Sequence, residues 1–349
     1  MKNTSVIDLF CGVGGLTHGF VQEGFEVTCG IDNDITCKYA YEKNNKSVFI
    51  CKDIRQVTGD EINTLYPSNH MRILVGCAPC QPFSTYSNSN QNRDSKWDLL
   101  RSFARIVKET QPEIVSMENV PRLTDINKYS VFSEFLNVLK QKKYHIHYEV
   151  VNCPDYGIPQ VRRRLVLLAS KLGEITLIPK THLPEEYKTV NSVIEGLAPI
   201  EAGQQDETDP LHKSRQLSDL NLKRIKFSRP GGTWRDWDEE LITNCHKKKS
   251  GKSYISVYGR MDGNKPAPTI TTQFYGFGSG RFGHPTQNRA LSLREGALLQ
   301  TFPQNYIFCP EDKSISITAI GRHIGNAVPV RLGQVVAKSI KLHLRQYLF

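Results

Sequence analysis

No apolar run in this 349-residue chain approaches the roughly 20 residues that a membrane span requires. No charged segment followed by an apolar one opens it either, and Ser5-Val6-Ile7-Asp8-Leu9-Phe10 already reads as a core strand, so a secretory leader is not expected. The nine cysteines lack the spacing of a disulfide framework. Only one Cys-x-x-Cys pair occurs, Cys77 with Cys80, and no second pair exists to complete a zinc site. No internal repeat is found, which argues against a solenoid. These absences imply a reduced, cytosolic protein with no metal. At 39% hydrophobic and 23% charged, the composition is globular. The length allows a sizeable core and implies two domains. A net charge of +10 and a pI near 9.1 suggest a polyanionic partner.

What the chain does have centres on Leu74-Val75-Gly76-Cys77-Ala78-Pro79-Cys80-Gln81-Pro82-Phe83-Ser84. The apolar run Ile73 to Val75 reads as a buried strand that Gly and Pro end abruptly. Open α/β sheets bind ligands at the carboxyl ends of their strands. Pro79 and Pro82 stiffen the backbone around Cys80. That cysteine can be a buried structural residue, half of a redox pair, or a nucleophile presented at a fixed angle.

The amino-terminal half supplies a context. Val6 to Phe10 reads as a strand, Cys11-Gly12-Val13-Gly14-Gly15 as a glycine turn, and Thr17 to Glu23 as a helix. Strand, glycine turn and helix form the cofactor cradle of doubly wound folds, although Gly-x-Gly-Gly is not the dinucleotide pattern. A second strand, Glu26 to Ile31, ends on Asp32, placed to accept from ribose hydroxyls, with Asp34 as its rival. A third short run ends on Asp53, placed to meet an adenine amine. After Cys80 comes a polar stretch, Thr85 to Lys96, that suits a closing loop, and then the amphipathic helix Trp97 to Thr110. The fifth strand, Glu113 to Met117, delivers Glu118, a candidate general acid. A helix from Val131 to Leu139 and a strand from Tyr144 to Val151 follow. Strand alternation through Arg162-Arg163-Arg164 would put Arg162 and Arg164 on one face.

The carboxyl-terminal half differs in composition. Pro179 to Pro210 is acidic and proline-rich, which marks a domain crossing. Lys213 to Arg260 carries twelve Lys or Arg against five Asp or Glu, with Trp234, Trp237, Tyr254 and Tyr258 interleaved. This is either the footprint of a phosphate-backbone partner or a solvated basic face. Leu293 to Gln300 reads as a helix, and the last segment ends in an amphipathic helix.

Six stretches, in order and spanning nearly the whole chain, carry a resemblance. They are Asp8-Leu9-Phe10-Cys11-Gly12-Val13-Gly14-Gly15, Pro79-Cys80-Gln81-Pro82-Phe83-Ser84, Glu118-Asn119-Val120, Gln160-Val161-Arg162-Arg163-Arg164, Arg294-Glu295 with Gln300-Thr301-Phe302-Pro303, and Gly325-Asn326-Ala327-Val328-Pro329. With them the chain resembles the DNA (cytosine-5)-methyltransferases of bacterial restriction–modification systems. Two positions depart from the family pattern: Cys11 stands where alanine is common, and Lys96 where arginine is common.

The resemblance implies an α/β fold, with a Rossmann-like S-adenosylmethionine-dependent methyltransferase sheet and a smaller DNA target-recognition domain. The expected catalytic domain spans residues 1–180 plus 312–349, and the target-recognition domain 181–311. It implies methyl transfer from S-adenosylmethionine to C5 of a flipped cytosine in a short sequence of double-stranded DNA. Cys80 would be the nucleophile at C6, Glu118 would meet N3 and the exocyclic amine, Arg164 would hold O2, and Arg162 would support the loop. Phe10, Gly12, Val13, Gly14, Gly15, Asp32, Asn33, Asp53, Ile54, Pro79 and Asn326 would form the cofactor site. Gln81, Ser84, Arg260 and Arg281 would contact DNA, with Arg260 reading guanine. The expected setting is a monomer in the bacterial cytosol, beside the nucleoid, partnered by a restriction endonuclease acting on the same site. The branch acting on transfer RNA carries a Cys-Phe-Thr triplet in its second domain, which this chain lacks.

Overall fold

The computed structural model describes residues 3–79, 97–125 and 130–348. Cys80, Gln81, Ser84 and the stretch Thr85 to Lys96 lie outside the described residues. The chain forms two compact units. The first takes Met1–Asn152, Arg163–Lys180 and Val328–Phe349; the second takes Cys153–Arg162 and Thr181–Ala327.

The first unit opens with alternating strands and helices: β1 (Thr4–Leu9), α1 (Gly15–Gln22), β2 (Val27–Asp32), α2 (Lys38–Asn45), β3 (Val48–Cys51), α3 (Gly59–Leu65), β4 (Met71–Gly76), α4 (Asp98–Thr110), β5 (Ile114–Asn119), α5 (Ser130–Gln141) and β6 (His145–Asn152). The chain then passes through β7 (Gln160–Val161) in the second unit and returns as β8 (Arg163–Ser170). The expected Arg162-to-Arg164 strand is therefore broken at Arg162, and the two arginines fall in different units.

Seven strands make one sheet in the order β3-β2-β1-β4-β5-β8-β6. Neighbours from β3 to β5 are parallel, and β8 is antiparallel to both β5 and β6. β1 and β5 are buried along their whole lengths, as strands covered on both faces must be. Ile7, Leu9, Leu74, Val115, Met117, Leu165 and Leu167 pack with Leu100, Phe103, Val107, Phe132 and Phe135 of α4 and α5. The apolar stripe of α4, recurring every three to four residues, gives that helix its buried side. The strand order reverses between β1 and β4, so the ligand crevice of this architecture lies outside their carboxyl ends.

The second unit contains α6 (Asn191–Ile194), α7 (Asp219–Phe227), α8 (Asn244–Lys247), β9 (Ala267–Pro268), α9 (Leu293–Leu299) and α10 (Ile317–Asn326). Its only named strand pair among the described residues is β7 with β9, and much of the rest is short turns. The expected return to the first domain at residue 312 falls instead at Val328. The reason is that α10 is tied to the second unit: Gln300 Nε2 donates to the Ile324 and Ala327 carbonyls at 2.8 and 3.1 Å. Gly325 lies so close to Thr271 and Thr272 that a Cβ would fall 2.4–2.5 Å from their backbone.

After Val328 the chain forms α11 (Val330–Leu348), which packs on α1 in the first unit. Among the described residues no helix is long and apolar enough to cross a membrane. The α1–α11 contact sets a sharp steric limit. A Cβ on Gly19 would lie 2.5 Å from Gln334 N and 2.6 Å from Val330 O, both backbone atoms that cannot swing aside. Gly19→Ala should therefore lose about 1–3 kcal/mol to overpacking, outweighing the gain of about 1 kcal/mol in helix propensity. A lower urea midpoint with an unchanged m-value is the expected reading, and an unchanged or higher midpoint would refute the close approach.

Candidate active site

The loop after β1 is shaped by backbone conformation. Phe10, Gly12 and Gly14 all have positive φ, at 62°, 50° and 87°. For a bulky Phe this is an unfavourable region, held here by the surrounding contacts. A Cβ on Gly12 would meet nothing within 4 Å, so glycine is needed there for its φ, and one side of the loop is open. Gly14 caps α1, whose first backbone N–H groups and dipole favour negative charge.

Asp32, at the end of β2, ties this loop down. Its Oδ2 accepts from Gly12 N at 3.0 Å and its Oδ1 from Asp34 N at 2.9 Å. Burial pushes its pKa up. Each oxygen keeps a further lone pair, so the carboxylate can still take hydroxyl donors. Asn33 is exposed beside it, and Asp34 instead caps the turn that follows. Beneath the loop, Asp8 is buried, receives Thr17 Oγ1 at 2.6 Å, and is pushed by burial to a pKa of about 7. Its Oδ1 has no hydrogen-bond partner among the described residues.

The other expected cofactor residues differ in exposure. Val13 is buried and supports the loop from below. Ile54 is buried beyond the end of β3, whereas Asp53 is already engaged: Arg55 donates to Oδ1 at 3.0 Å and to Oδ2 at 2.5 Å. Such an exposed pair is screened by solvent and yields easily to a competing donor. Pro79 is exposed past the end of β4. Asn326 is exposed at the end of α10, within the second unit. The donor set around the glycine loop fits an adenosyl cofactor: an open glycine turn, a carboxylate for ribose hydroxyls, and a second carboxylate and Ile54 one strand further on.

At the same carboxyl edge, Glu118 is 4% exposed near the end of β5. β8 runs antiparallel to β5, which brings its first residues to this edge, with Glu118 opposite Val166. Arg164 Nε thereby lies 2.8 Å from Glu118 Oε1. The contact is one of charge, because among the described residues no N–H is aimed at the buried Oε1. On the other oxygen, the Cys77 thiol donates to Oε2 at 2.7 Å. Asn119 Nδ2 donates to the Ala78 carbonyl at 3.1 Å and fixes the chain leaving β4.

Arg162 plays a different part. It is buried in the second unit, with NH1 on the Ile270 carbonyl at 3.2 Å and on Gln160 Oε1 at 3.4 Å. These bonds brace the loop, the part the resemblance gives it.

The expectation for Arg260 is overturned. Its guanidinium is buried, with Nε on the Ser228 carbonyl at 3.0 Å, NH1 on the carbonyls of His284 and Gln287, and NH2 on the Ile225 carbonyl and Asn288 Oδ1 at 2.7 and 2.8 Å. All five donors are engaged, so none is left for a base edge. Arg281 is the contrast: it is half-buried, its stem lies over Gly259, and its buried Nε has no hydrogen-bond partner among the described residues. The interleaved aromatics are also corrected in part. Trp234 and Trp237 are core residues, packed with Ile225, Leu241 and Phe277. Tyr254 is 58% exposed, among the exposed Lys247, Lys248, Lys249 and Lys252.

Three comparisons bear on these arrangements. The model of the C-5 cytosine-specific DNA methylase family matches residues 4–342. A type II methylase of Herpetosiphon aurantiacus, M.HgiDII, is 58% identical over 347 residues, covering 98% of each chain. A type II methyltransferase of Haemophilus parahaemolyticus, M1.HphI, is 31% identical, covering 96% of this chain and 86% of its own. Among solved structures, a protein described as a DNA modification methyltransferase encoded within a prophage (E. coli) superposes with a TM-score of 0.75 at 22% identity, over 98% of this chain and 99% of its own. At that identity the last likeness speaks to the fold.

The second unit also contains a buried charge cluster with a pH signature. Arg289, fully buried, donates to both Glu295 oxygens at 2.7 and 2.8 Å. His284 Nδ1 accepts from the backbone N–H groups of Thr286 and Gln287 at 3.2 and 3.0 Å, so the proton sits on Nε2, facing Glu295 Oε1 at 3.4 Å. Burial lowers the His284 pKa from 6.5 to about 4, against the opposing pull of Glu295. The folded state thus favours the neutral ring, and this stability is present above pH 6.5 and lost as the pH falls toward 4. The loss should be on the order of 3 kcal/mol. Denaturation midpoints taken from pH 7 to 4 should fall steeply for the wild type and less steeply for His284→Gln; identical slopes would remove His284 as the cause.

Proposed function

We propose, from the premise that this chain belongs to the C-5 cytosine-specific DNA methylase family, that it methylates C5 of a cytosine extruded from duplex DNA through a covalent bond from Cys80 to C6. The observation that carries the reading is the buried Glu118 carboxyl at the carboxyl edge of the sheet, with Arg164 at 2.8 Å and the chain leading to Cys80 beside it. S-adenosylmethionine would be held by the Phe10–Gly15 loop, Asp32 and the end of β3, and when bound it would supply an electrophilic methyl group. The protein's own residues do the rest.

Cytosine C5 is a poor nucleophile. Addition of the Cys80 thiolate at C6 makes C5 enamine-like and able to take the methyl group. Charge then builds on the ring at N3. Glu118 meets N3 and the exocyclic amine, so a hydrogen bond or proton from its carboxyl offsets that charge. Oε1 is buried and has no hydrogen bond among the described residues, so the amine would supply the donor it lacks. Arg164 balances the buried carboxyl and reaches the cytosine O2. Loss of the C5 proton and of the thiol restores the ring. Because C6 is inaccessible in a stacked duplex, the base must be flipped out at a cost of a few kcal/mol.

The second unit is assigned to target reading. Its exposed lysines supply sequence-independent affinity through counterion release, and Arg281 takes the base-reading role. The relatives named as type II enzymes support a setting beside an endonuclease that cuts the same site. We take the enzyme to act as a monomer in the cytosol.

Two tests follow. Cys80→Ala should abolish methyl transfer and leave DNA and cofactor binding intact, and duplex DNA carrying 5-fluorocytosine at the target should trap a denaturation-resistant adduct with the wild type. Turnover of Cys80→Ala above about a hundredth of wild type would overturn the covalent step. A methyl-acceptor assay that includes transfer RNA separates the DNA reading from action on RNA.

For target reading, Arg281→Ala should lower discrimination between cognate and scrambled duplexes by about 1–3 kcal/mol with little change in non-specific binding. Lys247→Ala or Lys248→Ala should weaken both duplexes alike and flatten the salt dependence. Equal weakening of both duplexes by Arg281→Ala would make it a phosphate contact.

A further inference from the structure

We propose that Cys77, the other cysteine of the Cys-x-x-Cys pair, is a positioning residue for methyl transfer: its thiol fixes the plane of the Glu118 carboxyl so that Oε1 faces the cytosine. This rests on the reading of Glu118 as the group that meets the base.

The terminal torsion of a glutamate is broad and roughly two-fold, so one contact does not fix its plane. Here each oxygen has its own neighbour, from a different strand end. Arg164, at the start of β8, lies 2.8 Å from Oε1, and the Cys77 thiol, just past β4, lies 2.7 Å from Oε2. Cys77 is itself fixed by its backbone N–H on the Leu9 carbonyl at 3.3 Å. The Ala78 carbonyl next to it is held by Asn119 Nδ2, from the residue after Glu118. The thiol is therefore carried by a braced backbone and cannot drift without moving β4 or β5. Because Arg164 does not aim an N–H at Oε1, the thiol is the donor that orients the carboxyl, while Arg164 supplies charge.

The test is steady-state kinetics of Cys77→Ala and Cys77→Ser, alone and combined with Glu118→Gln, with unfolding temperatures measured in parallel. Cys77→Ala should lower kcat about tenfold, the size expected for one hydrogen bond to a charged group, with KM for DNA and cofactor within about twofold. Cys77→Ser keeps a donor and should recover most of that loss. In the Glu118→Gln background Cys77→Ala should have no further effect, because the two residues act as one unit. A wild-type kcat in Cys77→Ala would overturn the inference, as would a Ser variant no better than Ala, or a further tenfold loss in the double variant. Should Cys77→Ala fold poorly, Cys77→Val fills the volume without a donor and replaces it. If Glu118→Gln alone turns over like the wild type, the reading of Glu118 fails; if it falls while Cys77→Ala does not, only the role of Cys77 fails.

Discussion

A carboxyl group buried at the end of a central strand is a demand that the rest of the first unit must meet. An isolated carboxylate cannot be taken out of water without a partner, because desolvation costs several kcal/mol. Glu118 is met by Arg164, and only the antiparallel direction of β8 makes that meeting local. A parallel strand in that slot would deliver its first residues to the opposite edge of the sheet. The reversed strand, which looks like an irregularity in a parallel sheet, is what carries a cation to the edge where the glycine loop and the chain after β4 also end. The topology and the chemistry share one cause.

The second unit is organised by a neutral group. Gln160 is fully buried, and both ends of its amide are engaged. Its Oε1 accepts from Ile270 N at 2.9 Å, and its Nε2 donates to Gln300 Oε1 at 2.9 Å and to the Leu299 carbonyl at 3.2 Å. Gln300 in turn holds the end of α10 through two carbonyls. One pair of amides therefore joins the segments around residues 160, 270, 300 and 325. Gln160, Gln300 and Gly325, which the sequence shows only as recurring motif letters, are explained here by packing and hydrogen-bond satisfaction.

The sheet of the first unit was legible because its strands are continuous apolar runs punctuated by Gly, Asp and Pro, and its helices are periodic. Glu118 and Arg164 were both singled out in the sequence, but their 2.8 Å contact was not. The second unit was much less legible. Its backbone bonds run largely through turns and isolated bridges, which leave no period in the sequence. A tryptophan in a basic segment looks the same whether it faces a solvent-exposed lysine or, as Trp237 does, donates its indole N–H to buried Ser228 Oγ at 2.9 Å. Cys77 was read only as half of a redox or zinc pair, and its contact with Glu118 went unread for another reason. Its partner Glu118 is 41 residues away, and only the pairing of β4 with β5 brings the two strand ends together.

The misreading of Arg260 shows a limit set by chemistry. The guanidinium fork that recognises guanine O6 and N7 also caps carbonyl oxygens of a bent backbone, and sequence cannot tell which acceptors are near. Buried among four carbonyls and an amide, Arg260 fastens the 225–228 turn to the 284–288 turn. An isolated bridge joins its backbone to Gly283, two residues beyond Arg281. A reading arginine needs free donors at a fixed position, and a side chain whose donors are engaged in folding cannot provide them. In the proposed reading the two needs fall to two arginines on neighbouring segments. Arg260 fixes the backbone, and Arg281 extends across Gly259, where any Cβ would press on its stem at 2.8 Å. On that reading, target preference can change at Arg281 without undoing the fold, because the bonds that define the loops belong to Arg260.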